Sequence, residues 1–136
     1  MRILIVEDDP VIALDLTDSL ARGGHEVVGP AASAAEAVAL CEAERPKLAL
    51  VDINLRDGDN GVILARGLVA RWGLTVIFVS AQREEARRAR DIAFGYIGKP
   101  FEAGTALRGV EAARVVLDGG ELTSVPEGFE LFSALS

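Results

Sequence analysis

The sequence predicts an α/β protein with a doubly wound, five-stranded parallel sheet in a three-layer sandwich. The apolar runs are nearly continuous rather than alternating, which is typical of strands buried on both faces. Helical patterns separate these runs, so that the order strand–helix occurs five times. The connections have the length that right-handed βαβ units require, and such units build an open sheet with helices on both faces.

The first two strand–helix units are bounded by clear stop signals. The predicted strands are residues 3–6 and 27–28, and the predicted helices are residues 10–22 and 34–44. Asp9 and Pro10 supply an N-cap and a proline for the first helical position, and Gly23-Gly24 ends that helix. The second helix ends before Pro46.

The remaining three units follow the same order. Their predicted strands are residues 48–51, 76–79 and 96–98, and their predicted helices are residues 61–72, 83–93 and 102–118. A turn-rich loop at 57–61 precedes the third helix, and Gly119-Gly120 ends the fifth. The fourth helix is rich in arginine; we interpret its basic face as solvated, with a partner surface as the alternative.

The composition bounds the class of protein. A length of 136 residues suits one domain, and the net charge of −7 argues against direct contact with nucleic acid or an anionic membrane. No apolar stretch reaches the about 18–20 residues that span a bilayer, and there is no signal-peptide pattern. Cys41 is the single cysteine, consistent with a reducing compartment, so the expected location is cytoplasmic.

The domain is predicted to cover residues 1–118, followed by a short C-terminal tail at 119–136 without an output domain. The tail contains an apolar pattern that could form one or two helical turns. We expect it to pack on the domain or to be disordered, and a docking or dimerisation segment is the alternative. The apolar positions are Phe129, Leu131, Phe132 and Leu135.

Acidic residues directly follow two of the apolar runs. Glu7 and Asp8 follow the first strand, and Asp52 follows the third. Ligands of doubly wound sheets bind beyond the carboxyl ends of the strands, so these side chains are expected to converge. An aspartate carboxylate can accept a phosphoryl group, and Mg²⁺ held by carboxylates would neutralise the charge. The candidate magnesium ligands are Glu7, Asp8, Asp52 and the backbone carbonyl of Asn54, whereas Asp9 is interpreted as a cap.

Two further strands deliver a hydroxyl and an ammonium group to the same edge. Ser80 ends the fourth strand and can donate to a phosphoryl oxygen. Lys99 follows the fifth strand and is expected to pair with Asp52 at rest and with the phosphoryl oxygens afterwards. Tyr96, on the same strand, could swing between exposed and buried positions.

His25, the only histidine, lies in a glycine-rich turn and is predicted to be a surface residue.

Taken together, these motifs resemble the receiver domain of bacterial two-component response regulators. The similarity rests on Ile-Leu-Ile-Val-Glu-Asp-Asp-Pro at 3–10, Leu-Val-Asp-Ile-Asn-Leu at 50–55, Asp-Gly at 57–58, Val-Ser-Ala at 79–81 and Lys-Pro-Phe at 99–101. It implies a flavodoxin-like (βα)5 fold of the stand-alone, single-domain type. One departure is the interval between Ser80 and Lys99, which is shorter than is common in the family. The fourth helix should therefore be short, displaced or partly unwound.

The resemblance also implies a role for each candidate residue. Asp52 would be the phosphoacceptor, Glu7 and Asp8 would hold Mg²⁺, and Lys99 would sense the phosphate, with a cis peptide bond before Pro100. The other implied roles are a switch pair, Ser80 and Tyr96, and two positions that tune the lifetime of the phosphorylated state, Asn54 and Gln82.

The function implied is phosphorelay signal transduction, in which a histidine kinase or a histidine phosphotransfer protein phosphorylates Asp52. The output would be contact with a downstream protein target, without turnover of a separate substrate. One alternative is an interaction module that is not phosphorylated. A phosphatase with an aspartyl nucleophile is disfavoured, because a second acid two residues from Asp52 is missing: residue 54 is Asn and residue 50 is Leu.

Overall fold

The computed structural model describes residues 1–132, which form one six-stranded sheet flanked by five α-helices. The order across the sheet is β2-β1-β3-β4-β5-β6; β1 to β5 are parallel, and β6 runs antiparallel to β5. The α/β fold class is therefore confirmed. The strands are β1 (Arg2–Val6), β2 (Glu26–Ala31), β3 (Leu48–Val51), β4 (Thr75–Ser80), β5 (Gly95–Gly98) and β6 (Phe129–Leu131).

All helices except the fourth begin and end within three residues of their predicted positions. Asp9 caps the first helix, because its carboxylate accepts hydrogen bonds from the backbone N–H groups of Val11 and Ile12. Gly73 ends the third helix in the left-handed conformation, at a φ of 67°. The helices are α1 (Pro10–Arg22), α2 (Ala34–Glu44), α3 (Gly61–Trp72), α4 (Arg83–Arg88) and α5 (Thr105–Leu117).

Two apolar layers hold the helices on the sheet. Alternate side chains of each strand point to opposite faces, so Ile3 and Ile5 of β1 pack in the layer under α1 and α5. Leu4 and Val6 pack in the layer under α2, α3 and α4. With both faces covered, the polar residues at the strand ends lie at the accessible edge of the sheet.

The connection between β4 and β5 confirms that the fourth helix is short. It ends at Arg88 rather than at residue 93, and a turn then leads into β5. Asp91 in this turn forms two hydrogen bonds with Arg66 of α3, at 2.9 and 3.2 Å.

The tail packs on the domain, as expected, but Phe129 and Leu131 lie in a strand instead of helical turns. β6 adds a sixth strand to the five predicted, and Leu135 lies outside the described residues. Within residues 1–132, no helix is long and apolar enough to cross a bilayer.

The prediction for His25 is wrong. Its side chain is only 4% exposed, and its Nε2 lies 2.7 Å from Oε1 of Glu111 on α5. The glycine-rich turn packs against α5, with Gly23 beside the side chain of Leu107. Nothing in the local sequence indicates this contact, because its partner is distant in the chain.

Candidate functional site

The acidic cluster lies at the carboxyl ends of β1 and β3, where the order of the parallel strands reverses. β1 and β3 are neighbours with Val6 opposite Val51, so the chain leaves both strands at the same level. The backbone N–H of Asp52 donates to the carbonyl of Val6 at 3.0 Å. Since β2 and β3 lie on opposite sides of β1, this edge is the switch point of the fold, where such sheets bind ligands.

The structure brings together the four charged side chains that the sequence singles out. Carboxylate oxygens of Glu7, Asp8 and Asp52 all lie within 4.8 Å of one another. Lys99 Nζ donates to Glu7 Oε1 at 2.5 Å and to Asp52 Oδ2 at 2.9 Å. The Glu7 side chain is 1% exposed and that of Asp52 is 9% exposed, so the ammonium group is their counterion in a largely dry environment.

Burial and pairing set the protonation of this cluster. Burial raises the pKa of Glu7 above its usual value, although the hydrogen bond from Lys99 acts in the opposite direction. Burial also opposes the charged form of Lys99, but its contacts with Glu7 and Asp52 outweigh this and raise the pKa of the ammonium group. Lys99 therefore stays charged beside the phosphoacceptor candidate.

The residues present suit a magnesium ion. Mg²⁺ prefers oxygen ligands and is held by one or two carboxylates with water completing the shell. Asp8 is the most accessible of the three acids, whereas the other two also bind Lys99. Three carboxylates against one ammonium leave the cluster with an excess of negative charge that a divalent cation can neutralise.

Ser80 and Tyr96 meet at the end of β4. The Tyr96 hydroxyl donates to the backbone carbonyl of Ser80 at 2.6 Å, and both residues are buried. The Ser80 hydroxyl oxygen accepts a hydrogen bond from the N–H of Gln82 at 3.1 Å. Its own proton therefore remains available for another acceptor. The structure thus places Tyr96 in the buried one of its two predicted positions.

The loop after β3 holds Asn54, whose side chain is exposed and whose backbone bridges to Asn60. The peptide bond between Lys99 and Pro100 is cis, as the resemblance implies. The roles of the site residues stay predictions, since the geometry describes their positions alone.

Gly61 is a residue of the site that the sequence reasoning missed. It begins α3, and its N–H donates to the carbonyl of Ile53 at 2.6 Å. A Cβ added at Gly61 would lie 1.9 Å from the backbone oxygen of Asp52, so only glycine allows the helix to approach the chain this closely just after β3. A glycine at the start of a predicted helix, soon after Asp52, was the available indication.

We expect Gly61→Ala to destabilise the fold by about 1–3 kcal/mol, the usual cost of overpacking. The matched control is Gly67→Ala in the same helix, where an added Cβ meets nothing within 4 Å. That change should stabilise the protein by about 0.5–1 kcal/mol, because alanine is the better helix former. Urea unfolding measures both, and equal effects of the two substitutions would contradict the close approach.

Comparison with known proteins agrees with the family that the sequence motifs resemble. Residues 3–111 match the family model of the response regulator receiver domain. The transcriptional regulatory protein PdtaR of Mycobacterium tuberculosis is 33% identical over 95% of this chain and 66% of its own length. The phyllosphere-induced regulator PhyR of Methylorubrum extorquens is 41% identical over 74% of this chain and 38% of its own length.

A solved structure supports the match at the level of the fold. The signal receiver domain of a modulated diguanylate cyclase from Desulfovibrio desulfuricans is 34% identical, with a TM-score of 0.72. The alignment covers 86% of this chain and 97% of that one. This chain spans less than two thirds of PdtaR and PhyR, so the likeness concerns only part of each of those proteins. By its sequence, its fold and the residues gathered at the switch point, the chain belongs to the response regulator receiver domain family.

Proposed function

We propose that the chain takes a phosphoryl group from a phosphohistidine onto Asp52 in a magnesium-dependent step. The main support is the position of Lys99 Nζ, which bridges Glu7 and Asp52 within a group of three carboxylates. The donor would be a histidine kinase or a histidine phosphotransfer protein. The chain then acts as a signalling component and turns over no separate substrate.

In the proposed step, a carboxylate oxygen of Asp52 attacks the phosphorus of the phosphohistidine. A P–O bond forms, the P–N bond breaks, and the electron pair of that bond leaves on the imidazole nitrogen. Lys99 turns N–H donors from the carboxylate to the phosphoryl oxygens, and the Ser80 hydroxyl donates to another of them. Bound Mg²⁺ would supply positive charge to the transferring group, held by Glu7, Asp8, Asp52 and the backbone carbonyl of Asn54.

The output is proposed to begin at Ser80 and Tyr96. When Ser80 moves toward the phosphoryl group, the carbonyl that accepts the Tyr96 hydroxyl moves with it. The phosphoryl group thereby biases an existing equilibrium at the surface around β5, where a downstream protein binds. Asn54 and Gln82, which flank the site, would set how long the phosphoryl group persists.

Residues 1–118 would form the receiver unit, and the proposed location of its action is the cytoplasm.

The test uses acetyl phosphate with the full chain, in Mg²⁺ and in excess EDTA, followed by intact-mass measurement. We expect a gain of one phosphoryl group in Mg²⁺ and none in EDTA, because the acidic cluster repels the incoming phosphate. Absence of the adduct under both conditions would favour the interaction module instead. Continued release of phosphate from an added phosphomonoester would indicate an enzyme.

A further inference from the structure

β6 lies in a groove along the outer edge of β5. The two strands pair antiparallel, with Phe129 opposite Ile97 and Leu131 opposite Gly95. The N–H of Phe132 also donates to the carbonyl of Phe94, at 2.8 Å. Without β6, β5 would be an edge strand, and the backbone groups of such strands readily pair with another chain.

The groove contains a slot for an aromatic ring, formed by two glycines. A Cβ added at Gly95 would lie 2.2 Å from the Phe129 ring, and one added at Gly109 would lie 2.9 Å from it. The Phe94 ring packs against Phe129 with the ring centres 5.6 Å apart. Phe129 is 7% exposed, so the ring fills a space that exists because two side chains are absent.

At the rim of the groove, Arg87 binds the acidic residue next to the aromatic one. Arg87 on α4 donates from Nε to Oε2 of Glu130 and from Nη2 to Oε1 of the same carboxylate, both at 2.8 Å. Two parallel bonds of this kind fix both position and orientation. We define the β5 groove by Arg87, Phe94, Gly95, Ile97 and Gly109; in the structure it holds the chain's own aromatic–acidic–apolar segment, Phe129–Leu131.

The hold on β6 is modest. The strand has three residues, and the segment that joins it to α5 is mostly exposed. Burial of one phenylalanine side chain is a small stabilisation beside that of the core, and a short terminal strand opens far more readily than the core. Its main advantage over a separate peptide is its tether, which gives a local concentration on the order of millimolar.

We propose that the β5 groove is an exchangeable strand-binding site. The chain's own Phe129–Leu131 segment occupies it at rest. A partner protein binds by placing an extended aromatic–acidic–apolar segment antiparallel to β5 once β6 detaches. This inference concerns the groove alone and does not depend on phosphorylation of Asp52.

The test titrates a fluorescent peptide with the sequence of residues 125–132 against full-length variants and measures its anisotropy. Phe129→Ala and Gly95→Ala both remove the fit that holds β6, but only Phe129→Ala leaves the aromatic slot open. We expect Phe129→Ala to bind the peptide at least about tenfold more tightly than the parent, because the tethered competitor is weakened. Gly95→Ala should bind no peptide, and adding Arg87→Ala to Phe129→Ala should cost about another tenfold.

Glu130→Arg offers a second route if Phe129→Ala does not fold, since it places a cation against Arg87 and leaves β5 and α5 unaltered. It should also bind the peptide more tightly than the parent. Equal binding by Phe129→Ala, Gly95→Ala and the parent would overturn the proposal. A parent dimer that Gly95→Ala abolishes would also overturn it, because the occupant would then be a second copy of the chain.

Discussion

Asp52→Asn is expected to reduce phosphoryl incorporation from acetyl phosphate to the background level, a loss of at least about a hundredfold. The carboxylate is the nucleophile in the proposed step, and the amide that replaces it cannot form the acyl phosphate. Intact-mass measurement after incubation with Mg²⁺ reads the adduct directly.

The control for Asp52→Asn is Asp57→Asn. Asp57 is an exposed aspartate in the loop after β3, and asparagine tolerates its positive φ of 61°. This variant should incorporate phosphate at the parent level. An adduct of parental yield on Asp52→Asn would show that another side chain accepts the phosphoryl group and would remove the central claim of the proposed function.

Lys99→Met is expected to lower the free energy of unfolding by about 3–5 kcal/mol at neutral pH in the absence of Mg²⁺, the usual cost of breaking a buried ion pair. The substitution removes the ammonium group from two buried carboxylates, Glu7 and Asp52, and leaves their charges uncompensated. Urea unfolding measures the loss. Lys47→Met is the matched control: Lys47 is exposed, so its removal should change stability by no more than about 0.5 kcal/mol.

The pH dependence of the Lys99→Met variant follows from the raised pKa of Glu7. Because the pKa of Glu7 is raised in the folded protein, its contribution to stability is fully present below the ordinary pKa of 4.5 and is lost as pH rises through the folded-state pKa. Lys99 lowers the folded-state pKa of Glu7, so in the Lys99→Met variant this pKa is higher and stability continues to fall up to a higher pH. The deficit of the variant relative to the parent should therefore shrink between pH 7.5 and pH 5. A deficit independent of pH would contradict the assigned counterion role.

The parts of the fold that the sequence predicts well are those determined by local chemistry. The first helix begins where Asp9 can accept from the next N–H groups, and the third ends where Gly73 can adopt a positive φ. The short fourth helix follows from the limited chain length between Ser80 and Lys99. The carboxylates converge because the residues that follow neighbouring parallel strands lie at the same edge of the sheet. The order of strands and helices along the chain is enough to predict this.

The parts that escaped prediction depend on contacts between distant residues. His25 is buried and contacts Glu111, which is distant in the sequence, and no local sequence pattern indicates that the two residues meet. The role of Gly61 depends on the backbone oxygen of Asp52, which no side-chain pattern records. For β6 a local indication existed: Phe129, Glu130 and Leu131 alternate apolar and polar residues, which is a strand pattern. Three alternating residues fit a strand only if another strand lies beside them, and the pairing of β6 with β5 could not be predicted from the local sequence.

The strand β5 is only four residues long, yet it serves two surfaces at once. Its outer edge carries the groove, while Tyr96 within it bonds to Ser80 and Lys99 just beyond it bonds to Asp52. Thermodynamic reciprocity applies to any such shared element: if occupying one surface changes the equilibrium at the other by a given factor, the reverse effect has the same size. If the two surfaces are coupled in this way, a ligand bound at the outer edge of β5 would change the proposed phosphorylation of Asp52 by the same factor by which phosphorylation changes its binding.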